Sequence, residues 1–443
     1  MTLSLRLAER GHRVTLLEAA DQVGGLADAW QLGDVTWDRH YHVTLLSDSC
    51  LRAILKELDF DDDMRWSRTR TGFLVDGRLS SLSSLGDFFR FPPLRLIDKA
   101  RLGWTIWHAS RQRDWRSLEQ IPVADWLVRH SGRRTFERIW LPLLKAKLGN
   151  AWQRTSAAFI WATIQRMYAA RRTGFKHEMF GYLPGGYGRI LPAFGERLRQ
   201  LGVEIRTSCP VRQVQQGDHG ALVASLRDGD SRSFDRVVVT APAPVAASIC
   251  PQLSDDELTR LKNVEYLGIV CASVLLRKPL AGYYVTNITD ASPFTGVIEM
   301  TAMVDSAELG GHTLVYLPKY LTADDPTWSR SDEEIRAEWL AALARLYPAF
   351  SVNDVLAFRI SRVRHVFALS TLNYSRRVPP IETSTPGLFI VNSAQIVNGT
   401  LNVNETVRLA ESAIDLLCGP FPVSTAFGSH RHATADRELV ARP

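Results

Sequence analysis

Two clusters of residues in this chain have the types and spacing to do chemistry. The first lies in LLEAADQVGGLADAW, residues 16–30, where Glu18 closes an apolar run and Gly24 and Gly25 follow. A carboxylate at the end of a buried strand accepts hydrogen bonds from a diol such as a ribose. A glycine doublet lets the backbone approach a phosphate with no Cβ in the way. The second cluster is Arg39, His40, Tyr41 and His42. Its two histidines sit at alternating positions and can point the same way, as groups that orient a substrate or handle a proton at neutral pH. They can equally be satisfied structural side chains. No H-E-x-x-H, G-x-S-x-G or Walker pattern is present and the remaining histidines are scattered, so no metal site, nucleophile or triad is expected.

The elements that must position these groups follow from periodicity. Residues 3–8 read as a helix ended by Gly11, and residues 14–17 as a strand closed by Glu18. Helix, tight turn, strand and acid are the second half of a dinucleotide-binding unit. The opening strand and its G-x-G-x-x-G turn are missing, since Met1 already stands at the start of the helix. The expectation is that Met1 is not the true start and that a strand and turn of roughly 15 residues lie upstream. Residues 29–32 and 35–37 read as a hairpin, 49–58 as a helix and 73–79 as a second hairpin turning at Asp76 and Gly77. Residues 84–180 are mostly helical, broken by Pro92, Pro93, Pro122 and Pro142. LPGGYGRILPAFGERLRQLGVEIRT, residues 183–207, gives a glycine-rich turn, an amphipathic helix stopped by Gly202, and a strand. Residues 222–226 form another strand, and Val237, Val238 and Val239 read as a strand covered on both faces.

From 266 to 367 the pattern is strands first (269–276, 282–287, 296–300, 312–317) and then a helix over 332–346, capped by Ser331 with Glu334 three residues on. This predicts an antiparallel sheet with a helix across it. Near the end, 388–391 is a buried strand and 403–417 a helix whose start is marked by Asn402 and Asn404. Beyond Gly419 the Ser-, Thr-, Arg- and His-rich tail, 420–443, is expected to be disordered.

At 443 residues the chain exceeds one ordinary core, so two interleaved domains are expected. A hydrophobic content of 45% excludes a disordered chain. The five cysteines form no C-x-x-C pair, which points to reduced thiols rather than a disulfide framework or zinc site. Without an apolar signal core or a run of 18 apolar residues, the expected location is the cytoplasm. The net charge of +6 is unevenly spread: from Gly86 to Phe180 there are 18 Lys and Arg against seven Asp and Glu, together with seven of the twelve Trp. Residues 88–115 therefore have three readings: helices whose Trp and Leu faces pack into a core, a peripheral contact with an anionic membrane surface, or a contact with an anionic substrate or partner. Nucleic-acid binding is not expected, because no recognition module accompanies the basic stretch.

The ribose-acid and glycine-doublet region, LLEAADQVGGLADAW, resembles that of the FAD-dependent superfamily containing flavin amine oxidases, protoporphyrinogen oxidases and phytoene-type desaturases. The re-entry segment 183–248 and the C-terminal strand and helix, 386–417, extend the likeness. The resemblance implies an α/β fold, with a Rossmann-like FAD-binding domain (1–65, 183–248 and 384–419) interleaved with an α+β substrate domain (66–182 and 249–383). It implies FAD as cofactor, with Glu18, Gly24, Gly25, the backbone of Val211, Asn392, Ser393, Asn402 and Val403 around it. Asn392 and Ser393 stand where the superfamily carries Gly-Asp, so an anionic acid is absent there. The resemblance also brings the segment with Arg39, His40 and His42 close to the flavin ring or substrate. The implied activity is dehydrogenation of a hydrophobic or amine-bearing small molecule. UDP-galactopyranose mutases carry a His-aromatic-His stretch in the comparable region and supply one alternative, and a flavin-free, non-enzymatic protein supplies the other.

Overall fold

The protein is described here from a computed structural model, which covers residues 1–169, 179–397 and 400–419. The tail expected to be disordered lies outside the described residues.

The largest layer is a seven-stranded sheet. In spatial order its strands are Val355–Ala368, Tyr266–Leu276, Thr313–Leu321, Gly296–Glu299, Val285–Ile288, Thr71–Val75 and Arg78–Ser81. Neighbours run antiparallel except Val285–Ile288 and Thr71–Val75, which are parallel, so the sheet is mixed rather than purely antiparallel. Alternation along Tyr266–Leu276 sorts its two faces. Val270, Ala272, Val274 and Leu276 pack against Ile335, Trp339 and Leu343 of the helix Asp332–Leu346. Ile269, Cys271 and Leu275 face the hairpin of Ala29–Leu32 and Val35–Asp38, where Trp37 is buried. A strand buried on both sides has no polar alternation to show, which is why it reads as a continuous apolar run. Ser331 and Glu334 close a reciprocal capping box at the start of the helix, as the spacing predicts.

The edge strand Val355–Ala368 was not expected from the sequence. Its run of Arg359, Arg362 and Arg364 masks the strand signal, and charges of this kind on an edge discourage pairing with another chain.

Two parallel strand pairs make the opposite side of the molecule: Thr15–Leu17 with Glu204–Arg206, and Val237–Val239 with Leu388–Ile390. The helix Thr2–Glu9 packs through Leu3 on Ala410 and Ile414 of the helix Val403–Cys418, and Leu5 meets Phe194 and Leu198 of the helix Tyr187–Gln200. Contrary to expectation, Val237 and Val238 are only half-buried: they point to opposite faces of the strand, pack on different clusters, and both border a cavity. A third, helical layer contains Leu96–Arg111, Val123–Ser131, Leu141–Leu148 and Ala157–Ala169 around buried Trp126, Leu127, Leu148 and Trp161. Among the described residues, no helix is long and apolar enough to cross a membrane.

Candidate cofactor and substrate cavity

A single cavity of about 2750 Å³ runs from the Thr15–Leu17 strand, past the glycine doublet, to the large sheet and the helical layer. Small-ligand pockets are typically ~300–1,000 Å³, so this space suits a large ligand with a second molecule beyond it. Glu18, Gly24, Gly25, Arg39, His40, His42, Val211, Asn392, Ser393, Asn402 and Val403 all line it. The fold thus gathers into one space residues that are separated by up to 385 positions in sequence (18 to 403).

Glu18 follows the strand Thr15–Leu17, and its Oε1 accepts the Ala20 N–H at 2.8 Å. Gly24 has φ +123°, and a Cβ there would stand 2.4 Å from Leu191 Cδ1. Gly25 has φ +58° and nothing within 4 Å of where its Cβ would be. The turn therefore needs glycine twice, once for close packing and once to keep open a cradle on the cavity.

Arg39 braces this turn with its two Nη atoms, while its buried Nε has no hydrogen-bond partner. Its Nη2 donates to the Gly25 carbonyl (2.8 Å), and its Nη1 lies 3.7 Å from Asp28 Oδ2. His40 supports the next residue: Nδ1, 3.2 Å from the Leu26 carbonyl, takes the donor role because that carbonyl can only accept, while buried Nε2 has no hydrogen-bond partner. Burial above all, aided by the charges of His42 and Arg39 and opposed by the Leu26 carbonyl, pushes the His40 imidazole down to about 3. It is neutral at physiological pH and unsuited to donating a proton. His42 Nδ1 is also buried without a hydrogen bond, 3.7 Å from Asp38 Oδ2, and its ring lies 5.0 Å from that of Tyr187. The two histidines therefore have separate surroundings, His40 beneath the glycine turn and His42 beside Asp38 and Tyr187.

Asn392 uses its side chain internally. Oδ1 accepts the Ala394 N–H (3.0 Å) and Nδ2 donates to the Ala241 carbonyl (3.0 Å), tying together the ends of the Val237–Val239 and Leu388–Ile390 strands. Ser393 sits by the Tyr266 hydroxyl. Asn402 caps the last helix through Oδ1 and the Glu405 N–H (3.1 Å), so the N-terminus of a 16-residue helix opens on the cavity at Asn402 and Val403. Asn404 does a different job from the one its spacing suggests. Its Oδ1 accepts from the Cys50 and Leu51 N–H groups (3.0 and 3.1 Å), capping the helix Ser49–Glu57 from outside.

At the other end of the cavity, sequence reading singled out Tyr41 but not its partners Tyr320, Lys147 and Arg166. Tyr41 and Tyr320 share a hydroxyl–hydroxyl hydrogen bond of 2.9 Å, burial holds the Tyr41 phenol well above its ordinary range, and Lys147 Nζ lies 3.7 Å from the centre of the Tyr320 ring. Arg166 makes a two-pronged pair with buried Asp48 (2.8 and 3.1 Å). The rest of this wall is mostly apolar or aromatic, with Ile106, Leu143, Phe159, Ile164, Phe180 and Tyr284 among its members, and Thr163, Asn287 and Thr295 add neutral polar groups. The only carboxylates lining the cavity among the described residues are Glu18, Glu204 and Asp235, all on the side of the parallel strand pairs.

Residues 1–400 match the profile of the flavin containing amine oxidoreductases, and the chain belongs to that family. A 15-cis-phytoene desaturase of Glycine max is 19% identical over 371 residues, which are 77% of this chain and 63% of the desaturase, so the match spans less than two thirds of that relative. Among solved structures, a proposed protoporphyrinogen oxidase from Exiguobacterium sp. 255-15 superposes with a TM-score of 0.72 at 18% identity, covering 94% of this chain and 96% of that one. Wild-type putrescine oxidase bound to putrescine gives a TM-score of 0.71 at 16% identity, with 94% and 96% covered. At these identities the likeness is one of fold, and the fold is that of the FAD-dependent oxidoreductases.

The residues present fit a flavin dinucleotide. An acid ends the first strand, a glycine cradle stands open above Gly25, and a capped helix N-terminus opens on the same space. Positive helix ends and free backbone N–H groups suit phosphates and the electron-rich edge of a flavin.

Proposed function

We propose that this chain is an FAD-dependent oxidoreductase that dehydrogenates an apolar small molecule rather than an amine. Bound FAD supplies hydride-accepting chemistry, and the protein's task is to bind, orient and exclude water. Glu18 and the Val211 backbone would hold the adenosine side, Gly24 and Gly25 would receive the phosphates, and the Asn402–Val403 helix end would face the flavin. Arg39 and His40 fix the glycine turn through the Gly25 and Leu26 carbonyls. Neutral His40 adds no positive charge beside the cofactor.

One observation carries the choice of substrate. The far wall of the cavity has no carboxylate among the described residues, and it already contains Lys147 and Arg166. A protonated amine entering there would leave water without a free counter-ion, since Asp48 is taken up by Arg166, and would meet the Lys147 ammonium on the Tyr320 ring face. An apolar molecule brings no charge to be desolvated and gains from burying its surface.

The test is anaerobic. Purified protein is loaded with FAD, and bleaching of the flavin band near ~450 nm is followed with detergent-solubilised phytoene and with putrescine. Bleaching by the polyene alone is the expected result. Bleaching by putrescine alone, or failure to bind FAD at all, overturns the proposal.

A further inference from the structure

We infer that the face formed by the helices Leu85–Arg90 and Leu96–Arg111 docks on an anionic lipid bilayer. The longer helix is apolar on two sides. It buries Leu102 and Ala109 in the core together with Asp98, Lys99 and Thr105, yet it also exposes Leu96, Ile97, Trp104 and Trp107. The buried charges are satisfied locally, Lys99 by the Phe89 carbonyl (2.7 Å) and Asp98 by Arg134 (3.3 Å). A soluble helix would place these side chains the other way round. With Phe89, the five exposed apolar side chains are 46–73% accessible and fall within 19 residues (89–107), so they form a patch and not scattered surface positions.

Charge identifies the occupant. Arg90, Arg95, Arg101, Arg111, Arg113 and Arg116 are exposed along the same stretch, and Asp114 is its one exposed carboxylate. Arg111 lies over the Trp107 ring and Arg116 over that of Trp115, 5.6 and 4.7 Å from the centroids. Indole rings at headgroup depth with guanidinium groups reaching outward match an anionic bilayer surface. A second copy meeting the patch through a two-fold axis would set this arginine-rich surface against itself. The patch also adjoins the cavity. Ile106 of the same helix lines it, as do the partly exposed Met167 and Tyr168 of the helix Ala157–Ala169, which Gln165 ties to the Ala109 carbonyl at 2.8 Å. An apolar substrate would thus reach the cavity from the bilayer. That clause alone rests on the proposed function, and the docking surface stands apart from it.

Co-sedimentation of the full chain with vesicles tests the docking without any turnover. Phosphatidylcholine vesicles with about 30% phosphatidylserine should pellet the protein at low salt, with binding at least about tenfold weaker to pure phosphatidylcholine and in high salt. Trp104→Glu with Trp107→Glu should cut binding to the anionic vesicles by about tenfold or more. Both positions are exposed, and an unchanged circular dichroism melt confirms that the double variant folds. Wild-type protein that stays in the supernatant at low salt overturns the inference. So does a double variant that binds as well as wild type. A dimer in sedimentation velocity that W104E/W107E abolishes, with no vesicle binding, assigns the face to a second copy.

Discussion

At the Glu18 end of the cavity, ligand-facing groups come from the main chain and its turns, and nearby side chains are occupied in holding that main chain still. At the Lys147 end the wall is made of side chains packed edge to edge, with few polar atoms among them. Arg39, His40 and Asn392 all line the first end, yet their best-defined bonds go to the carbonyls of Gly25, Leu26 and Ala241. Tyr41, Tyr320 and Lys147 at the second end bond or stack mainly with one another. The difference divides the labour of the site. A dinucleotide is the same molecule in every enzyme that uses it and can be met by rigid backbone, whereas a substrate wall of side chains is free to change with the substrate.

The contrast predicts that the first end is brittle. Its largest expected failure is acidic. The folded protein keeps His40 neutral down to about 3, whereas an unfolded imidazole titrates near its ordinary 6.5. Between those values the unfolded chain binds the extra proton. The stabilisation is therefore complete above pH 6.5 and drains away as pH falls toward 3, by an amount on the order of 5 kcal/mol. Urea midpoints measured between pH 7 and pH 4 should show this slope, and His40→Asn should flatten it. An unchanged slope in that variant would place the acid sensitivity elsewhere.

Next in size is the glycine turn. Gly24→Ala forces a methyl to 2.4 Å from Leu191 Cδ1 and holds alanine at φ +123°, so a loss of about 3 kcal/mol is expected. Gly25→Ala meets no atom and should cost only about 1 kcal/mol from its left-handed backbone. It nevertheless places a methyl in the cradle, and FAD titration should show weaker binding than its stability loss accounts for. If the two variants lose stability equally, the doublet does not divide its work as the geometry implies.

Asn392→Asp follows, at about 2–3 kcal/mol. The swap removes the donor to the Ala241 carbonyl and sets a carboxylate against that oxygen. Chemical denaturation of the variant measures the loss directly. A gain in stability would mean that the amide does not tie the two strands together.

How much of this was readable beforehand follows the same division. Glu18, Gly24, Gly25 and the Asn402 cap lie within local strand, turn and helix signals, and the structure gathers all of them on one cavity. Whether each residue turns outward to a ligand or inward to the fold was not readable. Arg39 lines the cavity and also holds a turn, and Asn404 looked like a cap for its own helix and caps another. Of the far wall only Tyr41 stood in a local cluster; Lys147 and Tyr320 come from distant segments and meet it only through the sheet and the helical layer. The strand Val355–Ala368 hid behind its edge arginines. The helix Leu96–Arg111 had apolar residues on two sides, of which Leu102 and Ala109 face the core and Trp104 and Trp107 face out, a division that periodicity alone does not give.

The second end should be tolerant, and Lys147→Met tests this with the smallest effect. Lys147 is half-buried, has no carboxylate partner among the described residues, and rests on the Tyr320 ring at 3.7 Å. Exchanging it for methionine gives up a cation–π contact of about 0.5–1 kcal/mol and returns apolar packing of similar length, so stability should move by no more than about 1 kcal/mol. The informative readout is KM. For an apolar substrate the new side chain is as good a wall as the old, and KM should stay within about twofold. A substrate with an anionic head would lose its cation, and KM would rise by about tenfold, the equivalent of about 1.4 kcal/mol. A large rise would therefore make Lys147 a specificity residue and bring the far wall under the same rule as the near one, with a polar group placed for one particular ligand.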